Sequence, residues 1–347
     1  MTRPAFVPRF LVIVSLALVL TSCGWLKGPV NASPGLRWWL FSNFGAQRLC
    51  PEMMKRSAPL RMVQGGNAVG RFFPDSCSTQ VNDAAQTVTL NFGGTGYAWT
   101  PVAGRVGFSA GATVDYRMDF YLAEEAVYIY AVTARVQRGP EFQVGGIEYP
   151  LANFAAHNSP AGYLFNTFGS QLMQSQLAAG FTVIHGDDGD EFTLGRLSPP
   201  QRVPSPFVRG KERFQLANET TEIRAGQIDF LGPFEVVDAS AALFLRTRVT
   251  GPSADVLVVS RSVGDVWRKG LEMGQPLAPP PSPPISAWVL TPGNERQDTI
   301  RVGPGQYYVV IENGNRVGTV NPPWSPLGVI GGNVAVVSYI AELGDVD

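Results

Sequence analysis

Few residues of this 347-residue chain have the type and spacing to do chemistry. His157 and His185 are its only histidines, so a Ser/His/Asp triad or a catalytic zinc site would have to draw on them. A three-histidine metal centre is thereby excluded within one chain. His157 stands beside Asn158 and Pro160 in loop-like sequence and His185 ends a strand-like run, so both read as turn or surface residues. Gly107-Phe108-Ser109-Ala110-Gly111 fits G-x-S-x-G, in which a strained strand-to-helix turn exposes a serine hydroxyl. Here strand-like alternation follows the serine, and the glycines read as a bend between two strands. Asp187, Asp188, Asp190 and Glu191 form the densest oxygen cluster, and a glycine-containing acidic loop can offer Ca²⁺ several of its roughly six to eight ligands. Their spacing is not that of an EF-hand, so a solvated hairpin tip is preferred to a calcium site. Asp115, Asp119, Glu124 and Glu125 could supply paired carboxylates for glycoside cleavage, but nothing in the sequence selects a pair. Gly93-Gly94-Thr95-Gly96 opens no helix and reads as a turn rather than a phosphate cradle. No catalytic residue, metal or cofactor is assigned.

The three cysteines differ in context. Residues 10–20 (FLVIVSLALVL) are an almost wholly apolar run, preceded by Arg3 and Arg9 with no acidic residue before Cys23. Charge and length match an export signal, and the run is too short for a permanent span of about eighteen or more residues. It ends in Leu20-Thr21-Ser22-Cys23, which resembles the lipobox of bacterial lipoprotein precursors. The resemblance implies cleavage before Cys23, a diacylglycerol on its thiolate and a further acyl chain on the freed amine. Two or more acyl chains anchor a protein stably where one does not. Residues 1–22 are then a signal peptide and 23–35 a lipidated tether, reaching about 40 Å at most if fully extended. The body would lie on the periplasmic or cell-surface side. Gly24 stands where an aspartate would resemble the inner-membrane retention signal of enteric bacteria, which favours the outer membrane. Cys50 and Cys77 remain as an even pair in an exported protein, with no histidine or CxxC nearby, and are expected to form a disulfide.

Losing residues 1–22 removes two of the 27 basic residues against 28 acidic ones, so the mature chain is mildly acidic. That argues against nucleic acid and against a polybasic grip on anionic lipid.

The elements that must position these residues are mainly strands. At 112–122 the alternating Val114, Tyr116, Met118 and Phe120 mark a half-buried strand, and 87–92, 127–136 and 181–185 are similar. Residues 181–185 and 191–194 flank a Gly/Asp turn and predict a hairpin. One helix is expected at 161–179, closed by Gly180. The aromatic-rich stretch 36–44 places Trp38 and Trp39 either at a lipid interface or, by preference, in the core. Four prolines in 198–206 suggest a boundary, giving a strand-rich α+β domain over 36–200, a linker at 201–206 and a second domain at 207–347. A second proline run, 276–284, reads as a long surface loop.

In the second part, strand-like runs at 241–249, 255–260, 285–290, 299–302, 306–312 and 334–343 predict an antiparallel, jelly-roll-like β-sandwich. The segment Gly303-Pro304-Gly305-Gln306-Tyr307-Tyr308-Val309-Val310-Ile311-Glu312-Asn313 resembles the glycine-tyrosine strand of bacterial pre-peptidase C-terminal and GOLD-type sandwiches. That resemblance implies a non-catalytic binding or spacer module. Tyr97, Trp99, Trp288 and Trp324, with Tyr307 and Tyr308, either stack on sugars or lipid or fill sandwich cores, the commoner fate of aromatics. The sequence as a whole favours a lipid-anchored envelope protein with a non-enzymatic binding, assembly or spacer role, partnered by the membrane through its lipid and by an envelope protein or glycan. A carrier or sensor of a lipid or other apolar ligand comes second and an envelope-polymer hydrolase third.

Overall fold

A computed structural model describes residues 24–61, 66–100, 103–148, 177–187, 189–315, 318–320 and 333–346. Residues 1–22, Cys23, His157, Asp188, Trp324 and nearly all of the helix expected at 161–179 lie outside the described residues. The protein is mainly β, as the alternation predicts. It opens, however, with helices: α1 (Gly24–Ala32), α2 (Pro34–Leu40), a wider π turn (Phe41–Gly45) and α3 (Ala46–Lys55). Among the described residues, regular structure thus begins at Gly24 and not near Leu36, where the sequence first suggests it. Ser33 caps α2 by accepting a hydrogen bond from the Leu36 N–H at 3.3 Å, and Pro34 takes a first-turn position where its missing N–H costs nothing.

Strands β1 (Ala58–Arg61), β2 (Ala68–Asn82), β3 (Thr87–Thr100), β4 (Gly104–Leu122), β5 (Ala126–Ile147), β6 (Phe181–Gly186) and β7 (Gly189–Leu194) follow as an antiparallel meander. The predicted alternation holds in β4, where Val114, Tyr116 and Met118 are buried and the residues between them are not. The expected hairpin is the β6–β7 pair. Helices α2 and α3 lie on this sheet: Trp38, Phe41 and Ala46 join Val88, Leu90, Val114, Tyr116 and Met118 in one apolar cluster.

Two glycine motifs change meaning. Gly93–Gly96 and Gly107–Gly111 are not turns between strands but lie inside β3 and β4. Gly94, Gly96 and Gly107 mark close approaches of backbone. A side chain on Gly94 would place its first carbon 2.2 Å from the Phe73 carbonyl oxygen. Gly107 and its cross-strand partner Gly146 form a bare seat for the end of a later helix, because a first side-chain carbon there would lie 1.8 Å from the Glu272 oxygen and 2.1 Å from the Gly274 nitrogen respectively. Ser109 sits within a continuous strand, with no helix following it.

The remaining strands are β8 (Phe214–Arg224), β9 (Gln227–Val236), β10 (Ala241–Thr250), β11 (Ala254–Ser260), β12 (Ser286–Leu290), β13 (Glu295–Ile300), β14 (Gly305–Asn313) and β15 (Val334–Asp345). The first sheet does not stop at the proline-rich stretch: it continues β7-β8-β15-β10-β13, and a bridge between Ala68 and Thr221 also joins β8 to β2, so β2 to β8 form a ring. A second, antiparallel sheet runs β12-β11-β14-β9. One face of it packs on β8, β10, β13 and β15 through Leu231, Val256, Val309 and Ile311 against Leu243, Leu245, Val337 and Tyr339.

Its other face is covered by α4 (Arg261–Glu272), a helix that the strand-only reading of this region missed. Trp267 and Leu271, four apart on one helical stripe, join Phe230, Leu257, Tyr308 and Val310, together with Phe73 and Tyr97 from the first sheet. The strands predicted between 241 and 343 form near their expected positions, except that the one expected at 299–302 runs instead over Glu295–Ile300.

Candidate functional site

The amino-terminal end is the first candidate. The β2–β3 turn (83–86) and the β4–β5 turn (123–125) fall at the same end of the meander, and α1 and α2 are pinned to both. Asn31 exchanges two 2.9 Å hydrogen bonds with the Leu122 backbone, and the Lys27 ammonium donates to the Glu124 carbonyl at 2.8 Å. Arg37 pairs with Asp119 at 2.6 Å, and the Trp38 indole donates to Asp83 at 3.0 Å. With Lys27, Arg37 and Trp38 bonded to the sheet's turns, three large apolar side chains remain on the outer side of this segment, beside the exposed but uncharged Asn43 and Gln47. Leu36 (38% exposed), Trp39 (53%) and Phe44 (38%) stand in solvent, with the Trp39 and Phe44 rings edge to face at 5.8 Å. Every exposed residue between 28 and 47 is uncharged. Trp38 thus took the core role and Trp39 did not. The expected disulfide is present: Cys50 of α3 joins Cys77 of β2, fixing the helices to the sheet.

A second group was not foreseen from the sequence. Arg71 of β2 is 1% exposed. Its Nε meets Asp229 of β9 and its Nη1 meets Glu219 of β8, each at 2.9 Å, while Nη2 donates to the Tyr339 hydroxyl at 3.2 Å. Asp229 also accepts from Tyr97 at 2.7 Å and from Thr221 at 2.8 Å. Burial opposes the guanidinium charge, but Asp229 and Glu219 hold it protonated well above its ordinary range. Burial, helped by Asp229, pushes the Tyr97 hydroxyl well above a normal phenol. Each oxygen is satisfied, and the cluster ties β2 and β3 to β8, β9 and β15. A cation within the apolar run Phe72-Phe73 and a carboxylate between Ile228 and Phe230 were the available signals.

Among the described residues the candidate aromatics form no common exposed face, and Tyr97 and Tyr308 meet only in the core. Tyr97 is core, not ligand-facing, at 5% exposure, and Tyr308 is likewise buried. The Trp99 ring lies under the Arg224 guanidinium, 3.4 Å from its centre. Trp288 of β12 does line a groove, an open hollow of about 660 Å³ bounded by Asp255, residues 279–284, Gly318 and Thr319. The proline run 276–284 is a loop, as expected, and forms one wall. The buried Trp288 Nε1 meets no acceptor among the described residues. Such a proline- and indole-lined hollow suits a flat or extended ligand.

The acidic turn is occupied by the protein's own cations. Asp190 accepts from Arg56 at 2.7 Å and pairs with His185, and Glu191 pairs with Arg202; Asp187 stands exposed. Among the described residues no group of three or more metal-ligating side chains converges. The hydrogen bond to Asp190 raises the His185 midpoint above 6.5, against the opposing effect of burial. Burial alone would raise Asp190, yet His185 and Arg56 hold it below 3.8. The pair's histidine contribution to stability is therefore full below about pH 6.5 and fades as pH rises through the folded midpoint. The aspartate contribution is full above about 3.8 and fades as pH falls below it. Asp190→Asn should lower the His185 midpoint toward 6.5 in an NMR titration, and an unchanged midpoint would show that the pair is not formed.

Compared with protein-family models and with curated proteins, the chain matches none.

Proposed function

We propose that this chain is a lipid-anchored cell-envelope protein with a non-enzymatic binding, assembly or spacer role, held by lipid on Cys23 and favouring the outer membrane. The observation that carries the reading is the charged and apolar leader ending in Leu20-Thr21-Ser22-Cys23, followed directly by a helix docked on the body. A cysteine carrying two or three acyl chains would join the bilayer to a folded collar with little slack between them. The pair Cys50–Cys77 suits an oxidising compartment. The Trp288 groove supports binding of an envelope glycan or an extended envelope-protein segment. Residues 207–347 are then the binding or spacer unit, a jelly-roll-like sandwich with the glycine-tyrosine strand as β14 at the centre of the smaller sheet. The test is Cys23→Ala. The variant should keep its leader and lose membrane retention, read by electrophoretic size and by fractionation. A mature-sized variant that still sediments with membranes would overturn the reading.

A further inference from the structure

We infer that the face formed by Leu36, Trp39 and Phe44 rests in the headgroup layer of the membrane that the protein is anchored to, so that the body stands on its collar rather than swinging from its lipid. The inference rests on the anchoring reading and adds to it a second, non-covalent contact and a fixed orientation.

Three observations favour a lipid surface as the occupant. The first is place. Leu36 is twelve residues on from Gly24, nearly all of them helical, so at about 1.5 Å per residue the face lies at most on the order of 20 Å from the start of α1, the residue next to Cys23 in the chain. The second is chemistry. An indole and a phenyl ring paired edge to face in solvent are the side chains that membrane–water interfaces collect, because such rings suit the boundary between acyl chains and water. The third is charge. Leu36, Trp39, Phe44 and the exposed residues between them are uncharged, the first exposed charge beyond them being Arg48, whereas Lys27 bonds the Glu124 backbone carbonyl and Arg37 pairs with Asp119. A charged side chain would have to be desolvated on entering the interface, and none stands between Leu36 and Phe44 on the exposed side, while Arg48 at the edge can keep its guanidinium at headgroup level.

The contact is mechanically meaningful because the collar is fixed. Trp38 and Phe41, on the opposite side of the same helical stretch, are buried in the sheet's apolar cluster, and Cys50 is bonded to Cys77. Force on Trp39 therefore reaches β2 and β4 directly. The β4–β5 turn beside the collar carries Glu124 and Glu125, both exposed. The surface should accordingly prefer zwitterionic lipid and be indifferent to salt.

The test uses the mature, lipidated protein in phosphatidylcholine vesicles whose acyl chains are brominated, with tryptophan emission as readout. Wild-type emission should be partly quenched relative to unbrominated vesicles, equally at low and high salt. Trp39→Phe should lower the quenched fraction by about a third or more, and Trp99→Phe should leave it unchanged. If the protein floats with the vesicles but Trp39→Phe changes nothing, the docking inference is overturned and anchoring stands. If the protein neither floats nor quenches, the anchoring reading falls as well. A protein that dimerises in detergent through this face, and becomes monomeric as Trp39→Ser, would assign the face to a second copy and overturn the inference.

Discussion

Arg71→Met should cost the fold about 3–5 kcal/mol, the range for removing one partner of a buried ion pair. Methionine roughly fills the arginine stem, so the loss isolates charge rather than volume. The variant leaves Asp229, which is 4% exposed, facing no cation, with only Tyr97 and Thr221 donating to it. Glu219 is less affected because Arg61 still donates to it at 2.9 Å. Adding Asp229→Asn should restore part of the loss, since the uncompensated carboxylate then disappears and the two substitutions act on one contact. The measurement is the urea unfolding midpoint of both variants. A single-variant loss under about 1 kcal/mol would show that water reaches the cluster and that its charges are not desolvated.

Breaking the disulfide should have the next largest effect. Cys50→Ser frees a loop of roughly 28 residues, and the chain-entropy estimate for closing it is about 3–4 kcal/mol. Most of that acts through the unfolded state, so the unfolding midpoint should fall with little change to the distant sandwich. The local consequence is specific. Held otherwise by contacts such as Trp38 with Asp83 and Arg37 with Asp119, the collar should open before the sheets do. Hydrogen exchange in the reduced protein should therefore accelerate first across residues 24–55. Uniform acceleration across β2 to β15 would mean that the bridge supports the whole fold rather than the collar.

What was readable in the sequence was local. Val114, Tyr116 and Met118 announce a strand because period-2 burial is a property of a few adjacent residues, and the same holds for the β6–β7 hairpin and the strands of the sandwich. The disulfide followed from parity once Cys23 was set aside. Helices α1 and α2 were hidden by Gly28, Pro29, Pro34 and Gly35, although Ser33-Pro34 is a capping pair. Gly264 and Gly270 weakened the helical signal of α4, whose Trp267 and Leu271 lie on one stripe. The strand glycines misled because their meaning comes from what approaches them. Glu272 meets Gly107 from far along the chain, and no local pattern announces it. The charge cluster was unreadable for the same reason, since Arg71 lies 158 residues from Asp229 and 268 from Tyr339. Tyr97 was offered as a ligand-facing ring because sequence does not distinguish a wet tyrosine from a buried one with a carboxylate to donate to. Trp39 and Trp38 were separable only once the helix phase was known.

Anchoring at Cys23 is the premise of both the proposed role and the membrane contact, and one mass measurement tests it. Protein purified from membranes and cut with trypsin should yield an amino-terminal peptide spanning residues 23–27, beginning at Cys23 and heavier than its bare sequence by a diacylglycerol and an amide-linked acyl chain. A peptide of bare mass, or one extending back through Ser22, would contradict the anchor.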